Sequence, residues 1–143
     1  MSPEADQILL LSSSQLSGTL VPLLPSGYAQ GQASLLSFMM VMCAQEYERG
    51  ADIRARENSE IRDLFTTLAP DVTDKDLAAQ LAAAAVTRDE SLAISTLNTA
   101  NAELRRLLIA LQTLLEQQDN RAAQARIWEL LKRSAARRLI KLA

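Results

Sequence analysis

The chain of 143 residues has no histidine and a single cysteine. Without an imidazole there is no Ser-His or Cys-His nucleophile pair, no histidine metal ligand and no side chain that titrates unperturbed near neutral pH. One thiol excludes an intrachain disulfide framework and a cysteine-rich structural zinc site. The four glycines stand at 18, 27, 31 and 50 and do not spell a phosphate-cradling loop. Aromatics make up only 3% of the chain, which leaves little for base stacking, and 15 basic against 17 acidic residues give a net charge of −2. Neither feature points to nucleic acid. β-Branched residues are scarce as well, with 11 Val and Ile against 25 Leu and 23 Ala. That excess of helix formers predicts an all-α fold. The length suits a single domain over 1–143, able to bury a core without disulfide or metal.

Charge is missing over one long stretch: no Asp, Glu, Lys or Arg occurs from Gln7 to Gln45, and the first basic residue is Arg49. No basic n-region of a secretory signal is present. The stretch is interrupted by Pro22, Pro25 and three glycines, and its densest apolar run, Ala33 to Ala44, is far shorter than the roughly 20 residues a spanning helix needs. No membrane insertion is expected, and the setting is expected to be reducing and cytoplasmic. Within that run Met39, Met40, Met42 and Cys43 beside Phe38 read as core filler.

What is present is helical patterning. Met1-Ser2-Pro3-Glu4 has the residues of a helix start, and 3–16 reads as a short helix. A linker at 17–27 follows, whose Leu20, Val21, Leu23 and Leu24 are expected to lie against the body. Residues 28–68 read as a long helix that stops at Ala69-Pro70-Asp71. A second long helix, 73–118, starts with Thr73 as N-cap, and a basic amphipathic helix occupies 121–143. Gly50 and the capping-box spacing of Thr87-Arg88-Asp89-Glu90 each offer a break. The expected architecture is an antiparallel helical hairpin or bundle of three to five helices, open to homo-oligomeric assembly. If both long helices are continuous, the hairpin is too long for a compact monomer and needs a partner; if they break, the chain closes on itself.

The most regular pattern is Ile94, Leu97, Asn101, Leu104, Leu108, Leu111 and Leu115, a seam at heptad spacing with one polar insertion. An Asn in such a seam fixes register and strand number at some cost in stability. Ala93, Ala100, Leu107 and Leu114 widen the apolar face beyond a two-stranded seam. The pattern serves either self-association, with a dimer favoured, or an intramolecular core in which Asn101 bonds a neighbour. On the self-association reading, Asn101→Leu raises thermal stability and loosens oligomer specificity.

A second heptad, Tyr47, Ala51, Arg54, Asn58, Ile61, Phe65 and Leu68, is polar in its middle. An Arg54 buried there needs a carboxylate from Glu57, Glu90 or Glu103. The C-terminal helix is net +6. Its apolar stripe is Trp128, Leu131, Ala135, Leu139 and Leu142, and its basic amphipathic face carries Arg126, Trp128, Arg133, Arg137 and Lys141. Such a helix packs on its own acidic body, captures a protein partner, or meets an anionic membrane surface or nucleic acid, with the first favoured.

Glu57-x-x-Glu60-x-x-Asp63 sets carboxylates along roughly one helix face. This spacing is similar to the carboxylate pairs of all-α nucleotide pyrophosphohydrolases, and Asp89-Glu90 is the only candidate for the second pair such an enzyme needs. That resemblance implies a Mg²⁺-dependent phosphohydrolase. The interleaved Arg49, Arg54, Arg56 and Arg62 instead make it an ion-paired face, and no cofactor and no metal site are expected. The layout of long helices with a basic end resembles bacterial export chaperones such as those of the flagellar hook proteins, which implies an adaptor that holds a partner helix. The favoured reading is a non-enzymatic helical module for self-association or protein–protein interaction, with no catalytic residue.

Overall fold

The computed structural model describes residues 4–141, and these form five α-helices with no strand. The expected start at Met1-Ser2-Pro3 and the stripe residue Leu142 lie outside the described residues. Helix α1 spans Ala5–Gln15, with Glu4 in its N-cap position making no side-chain cap bond. Where a linker was expected, the chain keeps turning, through a π-helical turn at Leu16–Leu20 and a 3-10 turn at Val21–Leu23 that carries Pro22. Leu20 and Leu23 are exposed rather than laid against the body.

Helix α2 runs from Gly27 to Leu68 and passes Gly50 without a break. Ser26 Oγ accepts the Ala29 N–H at 3.2 Å at its start. Its end is the 3-10 turn Ala69–Asp71, where Pro70 cannot continue the α-helical ladder. The segment expected as one helix over 73–118 is two: α3, Lys75–Ala85, and α4, Ile94–Gln117, joined by non-helical residues 86–93. Asp74 replaces Thr73 as the N-cap of α3, because its carboxylate accepts the N–H groups of Asp76 and Leu77, both at 3.0 Å. The Thr73 hydroxyl instead accepts a bond from Gln118 Nε2. Nor does Thr87 start α4; Ala93 is its N-cap residue. Asp119, in the left-handed region at φ 50°, and the capping Asn120 separate α4 from α5, Arg121–Arg137.

The described residues group into two compact units, 4–50 with 140–141 and Ala51–Leu139. In the second unit Ile61, Phe65, Leu81, Leu104, Leu111 and Ile127 close one apolar core contributed by α2, α3, α4 and α5. The first unit contains α1 and the N-terminal part of α2. Its buried residues among those described are small, namely Ser13, Ala33, Ser37, Ala44 and Gly50. The Ser13 and Ser37 hydroxyls lie 2.7 Å apart, and each reaches the other residue's carbonyl at 2.9 Å. Gln45 adds a two-way bond to the backbone of Lys141, accepting its N–H at 2.9 Å and donating to its carbonyl at 2.6 Å.

Candidate functional site

The heptad face of α4 is turned inward within the second unit. Leu97, Leu104, Leu108, Leu111 and Leu115 are buried, and Ile94 is the one apolar member left exposed. In the single chain this seam packs inside its own unit, the arrangement of the intramolecular alternative. Asn101 has a local task. Its amide donates to Asn58 Oδ1 at 2.9 Å and to Glu57 Oε1 at 3.2 Å.

Glu57 is the hub of this polar layer, enclosed to 1% exposure. One carboxylate oxygen accepts from Arg105 and Asn101; the other accepts from Ser134 at 2.8 Å and Arg138 at 2.6 Å. Burial by itself pushes the Glu57 carboxyl up, but the donors Arg138, Arg105, Ser134 and Asn101 outweigh it and hold it at about 2. Beside it, Asn58 donates to Asp89 at 3.1 Å and to the Leu97 carbonyl at 3.2 Å. Arg62 donates to Asp89 at 2.7 Å and to Thr87 at 3.0 Å. The layer therefore ties α2, the 86–93 connection, α4 and α5 together, and it leaves no lone pair of Glu57 waiting for a substrate. Arg54 Nε donates to Asn98 Oδ1 at 2.7 Å.

The basic helix α5 packs on acids of its own unit. Arg138 bonds Glu57, Arg137 bonds Glu60, and Arg133 stands 3.8 Å from Glu60. Hydrogen bonding to Glu60 raises the Arg137 guanidinium above its ordinary value. The buried stripe is Ala123, Ile127, Leu130 and Ser134, one position away from the expected Trp128, Leu131, Ala135 and Leu139, of which Leu131 also packs, half-buried, against the core. Trp128 and Leu139 are exposed. Lys141 falls in the first unit, on Gln45. Arg126 lines a groove of about 430 Å³ with Glu60, Asp63, Glu129 and Arg133, a surface of mixed charge. The spacing of α5 alone carried the signal for Ser134 and Arg138, since both extend the 4, 3, 4 register of 123, 127 and 130, but which stripe packs is decided by Glu57, 77 positions away from Ser134.

The acidic row does not converge. Glu57 and Glu60 are committed to arginines, and no group of three or more Cys, Asp or Glu side chains able to hold a metal ion comes together among the described residues. A second groove, about 550 Å³, is walled by small apolar residues of α3 and the turn before it, Ala69, Pro70, Val72, Ala78, Ala82 and Ala85. Thr66 and Lys75 are its polar lining residues.

The feature that sequence reading missed is the surface of the first unit. Twelve large apolar side chains between Ile8 and Tyr47 are exposed, among them Leu11 at 67%, Tyr28 at 80% and Met39 at 50%. Phe38, Met39 and Met42, expected as core, point outward, and Cys43 is exposed with them. The composition of the run gave no direction: apolar residues surround α2 from Ala33 to Ala44, so periodicity could not say which side meets α1. Among the described residues no helix is long and apolar enough to cross a membrane. No protein-family model, curated protein or solved structure matches the chain.

Proposed function

We propose that the protein is a non-enzymatic helical interaction module, in which the second unit is a self-sufficient scaffold and the first presents the surface that meets a partner. One observation carries this reading: the first unit encloses serine and alanine while exposing leucine, phenylalanine, tyrosine and methionine, over a stretch with no charge from Gln7 to Gln45. Contiguous exposed apolar surface beyond a few hundred Å² marks an interaction site on a folded protein. Twelve large apolar side chains on α1, the turns after it and α2 are 40–80% exposed, roughly several hundred Å² of apolar surface on the first unit.

Two other readings draw on less. An adaptor that captures a partner helix with α5 would have to work with Trp128 and Arg126, because Arg133, Arg137 and Arg138 are engaged with Glu60 and Glu57. A phosphohydrolase would need carboxylates that are not already on arginines. The test is a native mass spectrum of the protein purified from its own host at low salt, beside the Leu35→Glu variant. An assembly of defined stoichiometry in the wild type that is lost in the variant is the expected result. A bare monomer in both samples overturns the reading.

A further inference from the structure

We infer that α3 is a hinged lid on the second unit, held shut by a polar latch in the 86–93 connection. The inference goes beyond the interaction-module reading and does not depend on it. α3 is lightly anchored. Leu81 is its one buried residue, with Leu77, Ala84 and Ala85 partly buried against the core, whereas α4 buries six leucines. The groove of about 550 Å³ runs between Ala78, Ala82 and Ala85 of α3 and Thr66 and Pro70, at the end of α2 and in the turn after it. Along that flank α3 stands away from its neighbour and forgoes the dispersion contacts of close packing.

What shuts the lid is polar. Val86 and Leu92, the large apolar residues of the connection, are both exposed, so no apolar anchor holds the segment down. The connection contains neither Gly nor Pro, and its own sequence does not force it out of a helix. Bonds to α2 fix its path instead. Asp89 Oδ1 accepts from Arg62 Nη2 at 2.7 Å and from Asn58 Nδ2 at 3.1 Å, and Thr87 Oγ1 accepts from Arg62 Nε at 3.0 Å. The Arg62 and Asp89 side chains are only 10% and 13% exposed, so losing one partner strands the other charge away from water. At its other end α3 follows the 3-10 turn Ala69–Asp71, a short joint before Asp74. A lightly packed helix between a joint and a latch can swing clear when Arg62 releases Asp89. Meanwhile α2, α4 and α5 stay joined through the Glu57 layer.

Native-state hydrogen exchange of the full-length chain, read over 79–85 for the lid and 104–115 for the body, tests the inference. In the wild type the lid amides are expected to exchange at least tenfold faster than those of the body, because α3 opens without unfolding the unit. Ile127→Val trims the core in α5 and is expected to speed exchange of 104–115 severalfold while leaving 79–85 unchanged. Asp89→Ala is expected to speed exchange of 79–85 by on the order of a hundredfold. Asp89→Asn, which keeps an oxygen for Arg62 without the charge, is expected to give about tenfold. Ile127→Val and Asp89→Asn are mild enough to keep the fold, so the test stands even where Asp89→Ala does not fold. Equal protection of the two stretches in the wild type overturns the lid, as does a loss in 79–85 matching that in 104–115 with Ile127→Val. Either result means that α3 opens only with the whole unit. Unchanged exchange of 79–85 in the Asp89 variants overturns the latch.

Discussion

In the second unit Ile61, Phe65, Leu97 and Leu111 are enclosed and the charged groups that accompany them are paired; in the first, the enclosed residues among those described are Ser13, Ala33, Ser37, Ala44 and Gly50, and Leu11, Leu35, Phe38 and Met39 face outward. The same physical terms act in both units with opposite results. Fully burying a large aliphatic side chain contributes about 1.5–3 kcal/mol, so the second unit gains its stability from within. In the first, one hydroxyl pair between α1 and α2 supplies a net contribution of roughly 1 kcal/mol, and most of the apolar surface has yet to be removed from water. On the proposed reading the second unit is built to fold and the first to be covered.

The comparison can be broken first at Glu57. Replacing it with Ala leaves Arg105, Arg138 and Ser134 without their shared acceptor and is expected to cost about 3 kcal/mol, read as a lower urea midpoint for the second unit. The two arginines are 46% and 41% exposed and recover part of their hydration, which holds the loss to the lower end of the range for broken buried pairs. The same group fixes an acid dependence. Its folded-state carboxyl, at about 2, lies below the ordinary 4.5, so the stability it supplies is complete above 4.5 and drains as pH falls from there toward 2. Glu57→Gln is expected to flatten that part of the stability profile; a profile with unchanged slope would show that Glu57 is not the carboxylate responsible.

A smaller effect is expected at Asn101. Read as an oligomer seam, Asn101→Leu should stabilise. With its amide on Glu57 and Asn58, the substitution instead removes two donated bonds and strands the Asn58 oxygen, and is expected to destabilise by about 1–3 kcal/mol without altering the oligomeric state. A raised melting temperature would restore the seam reading.

Much of the fold was legible. Leu and Ala abundance specified helices, Pro70 marked the end of α2, and the heptad of α4 identified the residues that are buried. Gly50 did not break α2, since a local cost of about 1 kcal/mol is small beside tertiary packing, and Gly50 is buried. The 86–93 connection was harder to place. Thr87 and Glu90 have capping-box spacing, but the Thr87 hydroxyl and the neighbouring Asp89 are both used by Arg62, a contact 25 to 27 positions away that no local window contains. For the candidate site the gap was larger. Phe38, Met39 and Met42 carry the composition of a core, and only the short Ser13–Ser37 contact determines that they face the other way.

On the proposed reading the second unit is stable on its own while the first is completed by association. Hydrogen exchange on the full-length chain at increasing protein concentration tests it most directly, because amide protection reports local opening unit by unit. Protection of residues 57–65 and 104–115 is expected to be the same at every concentration, whereas protection of 28–47 rises as the chain associates. Equal and concentration-independent protection in both stretches would contradict the account.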